Sequence, residues 1–115
     1  MSKLTFTIPV PPSANNLFVN VPGRGRAKSP EYRKWINEAG WLAKTAVVGK
    51  GTVEPPYIVA YEVPRDRRRD IGNFEKAASD LLVKLRILTD DKFIDDLHIK
   101  RADRSDMLVT IGSLS

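Results

Sequence analysis

The sequence predicts an α+β fold of the mixed α/β kind, in β-α-β-α-β-β order, with one mixed sheet and two main helices packed on it. Three observations predict it. Short segments of alternating apolar and polar residues, rich in β-formers, recur along the chain. Two stretches with apolar residues at helical spacing separate them. Proline, glycine and aspartate clusters punctuate the boundaries. Strands and helices interleaved in this way pack as one sheet with helices laid on it. The 115 residues fit a single domain spanning 1–115, with no internal repeat and no low-complexity tract.

Leu4 to Val10 alternates as a first strand, and Pro9, Pro11 and Pro12 end it, since proline cannot donate to a ladder. Ser13 to Lys28 reads as a loop carrying Arg24, Arg26 and Lys28 at its end. Ser29 and Pro30 form an N-cap and first helical position, with Glu31 favourable at the positive end of the helix. Tyr32, Trp35, Ile36, Ala39, Leu42 and Ala46 then mark a helix over about Pro30 to Val48. Gly49, Gly51 and the Pro55-Pro56 pair stop it. Tyr57 to Val63 is the second strand. A second helix runs from about Asp70 to Leu85 with Phe74, Ala77, Ala78, Leu81, Leu82 and Leu85 as its apolar stripe. A third strand lies within Phe93 to Ala102 and a fourth over Met107 to Leu114, joined by a turn at residues 103–106. Trp35 and Trp41 are expected in or beside the core.

Composition narrows the function classes. Apolar residues make up 42% and charged residues 29%, which excludes wholesale disorder. No apolar run approaches the roughly 18 to 20 residues of a membrane span, and the first residues alternate without a signal peptide's apolar core. The chain has no cysteine, so disulfides and thiolate zinc sites are out, and a reducing cytoplasm is the natural setting. Nineteen Lys and Arg against fourteen Asp and Glu give +5, a balance that favours a polyanionic partner such as nucleic acid.

The segment from Arg67 to Asp91 carries the chemistry. Arg67, Arg68 and Arg69 precede Asp70. Asn73, Lys76 and Asp80 follow at spacings of three and four, which puts them on one helical face, opposite the apolar stripe. Asp90 and Asp91 come after the helix. Magnesium prefers carboxylate oxygens, a lysine can carry transition-state charge as a point cation, and arginines clamp flanking phosphates. Each residue also has a plainer reading. Asp70 can cap the second helix, Lys76 and Asp80 can be a surface pair, and Asp90 and Asp91 can be turn residues. The arginines can be a solvated patch, and His98 can be an exposed strand residue. Adjacent aspartates repel, however, and a cation would relieve that.

Taken together, Arg67-Arg68-Arg69-Asp70, Asn73, Lys76, Asp80, Leu82 and the Asp90-Asp91 pair resemble the RusA family of Holliday-junction resolvases, found in bacteria and their prophages. Pro11-Pro12-Ser13-Ala14-Asn15 is similar to that family's PPS-x-N segment, and the likeness covers nearly the whole chain. The resemblance implies a cytoplasmic, magnesium-dependent endonuclease that binds branched DNA as a homodimer and cuts two strands of a four-way junction symmetrically. It implies Asp70 and Asp91 as metal-binding acids with Asp90 beside them, Lys76 as the essential lysine, and Asn73 and Asp80 in support. Arg67, Arg68, Arg69, Arg24, Arg26 and Lys28 would hold DNA. The family's third acid stands two residues after the first, where this chain has Gly72. That departure opens an alternative, a weakened or inactive branched-DNA binder of the same fold, and suggests a glycine kept for close backbone approach. A basic domain unrelated to DNA is a third reading, resting on charge alone. Trp35, Trp41, Phe93 and Met107 to Leu114 supply apolar material for a dimer interface.

Overall fold

Period-two burial builds the sheet. In the computed structural model, which describes residues 3–115, strand β1 (Lys3–Ile8) buries Leu4, Phe6 and Ile8 and exposes the residues between them. The expected strand pattern at Met1 and Ser2 lies outside the described residues. Strand β4 (Tyr57–Pro64) buries Tyr57, Val59, Tyr61 and Val63, and β6 (Met107–Ser113) buries Met107, Val109 and Ile111. Strand β5 (Ile94–Ala102) completes a sheet in the order β1-β6-β4-β5. Strand β6 is antiparallel to both β1 and β4, whereas β4 and β5 are parallel, so the sheet is mixed as expected. A parallel pair needs a crossover, and helix α2 (Gly72–Lys84) supplies it.

Both helices lie on the face of the odd-numbered β4 side chains. Helix α1 (Pro30–Val47) starts where the sequence places it. Ser29 Oγ accepts from the Tyr32 N–H at 3.0 Å and donates to the Asn16 carbonyl at 2.6 Å. Tyr32, Trp35, Ala39 and Ala43 are buried. Helix α2 buries Phe74, Ala77, Ala78, Leu81 and Leu82, with Leu85 half-buried just past its end. The Tyr61 and Ser79 hydroxyls meet at 2.8 Å between β4 and α2. That bond is buried, and burial raises the tyrosine's pKa well above its ordinary value.

Three expectations need correction. The stretch from Ser13 to Lys28 is not all loop. After a short 3-10 turn at Ala14–Asn16, strands β2 (Phe18–Val21) and β3 (Gly25–Lys28) form an antiparallel hairpin. Its tip needs left-handed backbone at Gly23 (φ 77°) and Gly25 (φ 78°), which only glycine adopts cheaply. Trp41 does not pack in the core: it is 68% exposed on the outer side of α1. Of the proposed interface residues, Trp35 is buried and its indole N–H donates to the Pro9 carbonyl at 2.8 Å. Met107, Val109 and Ile111 are core, while Trp41 and Phe93 remain exposed.

Candidate functional site

Two distant segments meet beyond the end of β4. The chain leaves Pro64 through a turn in which the Arg69 N–H donates to the Asp66 carbonyl. Arg101, on β5, donates to the Asp66 and Arg69 carbonyls at 2.8 Å each, clamping both ends of that turn. Arg69 itself points inward. Its guanidinium donates to the Pro11 and Pro12 carbonyls and lies 4.1 Å from the centre of the Phe74 ring. Prolines offer carbonyls but no N–H groups, so a half-buried arginine, which only donates, is a fitting partner for them. Desolvation lowers the Arg69 pKa, and its Nε has no hydrogen-bond partner among the described residues. The proline segment and the arginine segment thus form one structural unit. Arg69, expected to hold DNA, instead turns both of its terminal guanidinium nitrogens to backbone carbonyls of the proline segment.

The other arginines differ. Arg67 and Arg68 are exposed. Arg68 forms a fork with Asp66, its Nε at 2.9 Å and Nη2 at 3.2 Å, which lowers the Asp66 pKa. On the hairpin, Arg24, Arg26 and Lys28 are basic, and the Arg26 guanidinium covers the exposed Phe18 ring at 4.6 Å. Phe18 in turn meets Tyr32 edge-on, which ties the hairpin to α1.

Asp70 stands just before α2 and is exposed. Its side chain makes no hydrogen bond among the described residues, and α2 has no side-chain N-cap at all; only the Asp70 carbonyl is used, by the Asn73 N–H. The capping explanation for Asp70 therefore fails. Gly72 is the first helical residue, and a Cβ built there meets nothing within 4 Å. The suggestion that glycine is kept for close backbone approach is corrected: the space is open. On the polar face of α2, Lys76 Nζ lies 3.2 Å from an Asp80 oxygen. The hydrogen bond to Asp80, its charge, and the more distant charge of Asp91 raise the lysine's pKa.

Asp90 and Asp91 lead into β5. The Asp90 carboxylate accepts from the Lys92 N–H at 3.1 Å and caps the 3-10 turn Asp91–Phe93, which lowers the Asp90 pKa. Asp91 is exposed, and its carbonyl accepts from the Ile94 N–H.

The acids do not converge within one chain. Tyr57 pairs with Ile94 at one end of the β4–β5 ladder and Val63 with Arg101 at the other. Asp91 belongs to the Ile94 end. Asp70 belongs to the Arg101 end, through the Arg101–Arg69 bond. At about 3.3 Å per residue the two ends are on the order of 20 Å apart. Accordingly, among the described residues no three Asp, Glu or His side chains form a metal-binding group. The single-chain acidic cluster expected from the sequence is not formed. Lys76 and Asp80 are brought together, Lys76 feels Asp91, and Asp70 stands apart. Sequence reasoning missed Arg101 and the two proline-carbonyl contacts, for which residue type gave no signal.

Comparison with known proteins adds an independent finding. Residues 8–111 match the family described as Endodeoxyribonuclease RusA. The crossover junction endodeoxyribonuclease RusA of Escherichia coli strain K12 is 31% identical over 100 residues, covering 86% of this chain and 82% of that one. The same-named protein of Shigella sonnei is also 31% identical, and that of Enterobacteria phage 82 is 29% identical, over the same shares. Fold and matches define the class, an α+β DNA endonuclease. The chain belongs to the RusA endodeoxyribonuclease family.

Proposed function

We propose that this chain resolves four-way DNA junctions by paired, symmetric phosphodiester cleavage, with magnesium, as a homodimer in the cytoplasm of a bacterium or of a phage-infected cell. Residues 1–115 would act as one domain. The observation that carries the reading is Asp70: an exposed carboxylate without a structural task, set beside the arginine turn of a chain in this family.

The donor set suits a hard cation, since Asp70, Asp91, Asp90 and Asp80 offer carboxylate oxygens. One chain keeps Asp70 and Asp91 apart, so an ion held by both would need acids from two chains. That requirement favours the homodimer, which also presents two equivalent sites to two strands. When bound, magnesium would offset phosphate charge and lower the pKa of a coordinated water. Lys76 would carry transition-state charge as a cation held protonated by Asp80. Asn73, on the same face, would orient the phosphate. Arg67, Arg68, Arg24, Arg26 and Lys28 would track the DNA backbone, and Arg69 would hold the loop that carries them.

The second reading, a weakened or inactive binder, is favoured by one observation: Gly72 leaves open space where the sequence resemblance implies an acid. A synthetic four-way junction, incubated with and without magnesium, decides between them. Paired nicks that require magnesium are expected. Tight junction binding in calcium with no cleavage in magnesium would establish the binder instead, and equal affinity for junction and duplex would remove the junction from the reading.

A further inference from the structure

We infer that the free edge of β5 is the homodimer interface, where it pairs antiparallel with β5 of a second copy in a register centred on His98. This rests on the homodimeric reading above and names its surface. Strand β5 is an edge of the sheet, bonded to β4 on one side only. An edge of nine residues offers unpaired backbone groups to any strand that fits. Charges usually guard such edges. Here the charges are self-complementary. The segment Asp95-Asp96-Leu97-His98-Ile99-Lys100-Arg101 reads acid, acid, apolar, His, apolar, base, base.

In an antiparallel pairing about His98, Asp96 faces Lys100 of the second copy and Asp95 faces its Arg101. Leu97 faces Ile99. Facing residues share a face of the sheet in every case, as the alternation demands. A shift of one residue puts side chains on the wrong faces, and a shift centred on Leu97 sets Asp95 against Ile99, losing the match. The other edge has no such property: β1 carries Lys3 and no acid.

The side chains are available. Lys100 is 72% exposed and Asp96 47%; among the described residues Lys100 is held by Glu62 at 3.6 Å and Asp96 by His98 at 2.9 Å. Leu97 is 41% exposed, an apolar residue on an open edge that a partner strand would cover. Arg101 is committed to the Asp66 and Arg69 carbonyls, so Asp96 and Lys100 are the pair to test. The pairing joins two four-stranded sheets into one and runs the Asp91 end of each chain toward the Asp70 end of the other.

The test is a charge exchange on the full chain, read by sedimentation equilibrium, with circular dichroism confirming the fold. Asp96→Lys alone sets two lysine pairs against each other and should weaken the dimer about tenfold or more. Lys100→Asp alone should do the same with acids. An equimolar mixture of the two variants restores both pairs and should restore the dimer. A second readout does not depend on those variants folding. The chain has no cysteine, so His98→Cys places one thiol where it meets its own copy. Diamide should link it to a disulfide dimer, while Thr5→Cys on β1 stays monomeric. A dimeric wild type whose variants associate unchanged, or whose His98→Cys form does not link, would overturn this interface and leave the homodimer standing. A wild type of 12.9 kDa at all concentrations would overturn the homodimer itself.

Discussion

Arg69 reaches Pro11 across the chain: its Nη1 donates to the Pro11 carbonyl at 2.9 Å, while its guanidinium rests on the Phe74 ring. A planar fork with five donors can serve two adjacent carbonyls and an aromatic face at once, and an ammonium cannot. Arg69→Lys should therefore lower stability by about 1–3 kcal/mol in urea unfolding. It should leave the salt dependence of DNA binding unchanged, since no phosphate contact is lost. A flatter salt slope with unchanged stability would return Arg69 to the DNA-binding set.

Asp70→Asn should abolish cleavage and leave junction binding nearly intact. The carboxylate caps nothing, so stability should move by less than about 0.5 kcal/mol, whereas losing a true N-cap costs about 0.5–2 kcal/mol. Single-turnover cleavage and thermal unfolding of the same preparation separate the cases. Wild-type cleavage would remove Asp70 from the site.

Gly72→Asp is sterically free. An acid in the first turn faces the positive end of the helix, so stability should rise by about 0.3–1 kcal/mol, with a further gain from replacing glycine. If the position belongs to the metal-binding region, half-maximal cleavage should need less magnesium. A variant that is more stable but needs more magnesium would mean the site is built around the glycine.

These variants mark where the sequence was legible. Ser29-Pro30 and the Tyr32–Trp35–Ala39 spacing fixed the start and buried face of α1, because caps and helical periodicity are local signals. The apolar stripe from Phe74 to Leu82 gave α2 for the same reason. The β2–β3 hairpin was not legible: each strand has only four residues, β3 (Gly-Arg-Ala-Lys) carries no apolar alternation, and the tip depends on two glycine φ angles. Trp41 misled because helical spacing does not say how wide the buried stripe is. At the site, residue types were readable but convergence was not. Asp70 and Asp91 lie at opposite ends of a parallel ladder, and only topology reveals that.

The alkaline limb of cleavage should depend on Asp80. Its hydrogen bond and charge raise the Lys76 pKa, so the ammonium persists above the pH at which an ordinary lysine would lose its proton. Asp80→Asn removes that support, and the pKa should fall. The fall in kcat at high pH should then begin at lower pH than in the wild type, with little change near neutrality. An unmoved limb would mean that Lys76 titration does not govern the rate. The small stabilisation from this pair is present below the ordinary lysine pKa and fades as pH rises through the raised one. The pair is exposed, so melting temperature should hardly follow.

The hairpin offers the clearest test of phosphate tracking. Arg24 sits at its tip beside Gly23 and Gly25, and Lys28 ends β3, both exposed. Neither side chain is hydrogen-bonded among the described residues, so each is free to meet a phosphate. Neutralising a phosphate releases condensed counterions, so log affinity falls linearly with log salt concentration. Wild-type junction binding should show a slope on the order of −4 or steeper. Arg24→Ala and Lys28→Ala should each make the slope shallower by about 1, and weaken junctions of different sequence alike. Arg26→Ala should do more, because the same side chain covers the Phe18 ring and leaves it bare when removed. Electrophoretic titrations from low to physiological salt, with cleavage suppressed by calcium, measure all four proteins. Parallel slopes for wild type, Arg24→Ala and Lys28→Ala would place the hairpin away from the DNA and leave the arginine turn at Arg67 and Arg68 as the basic surface that holds it.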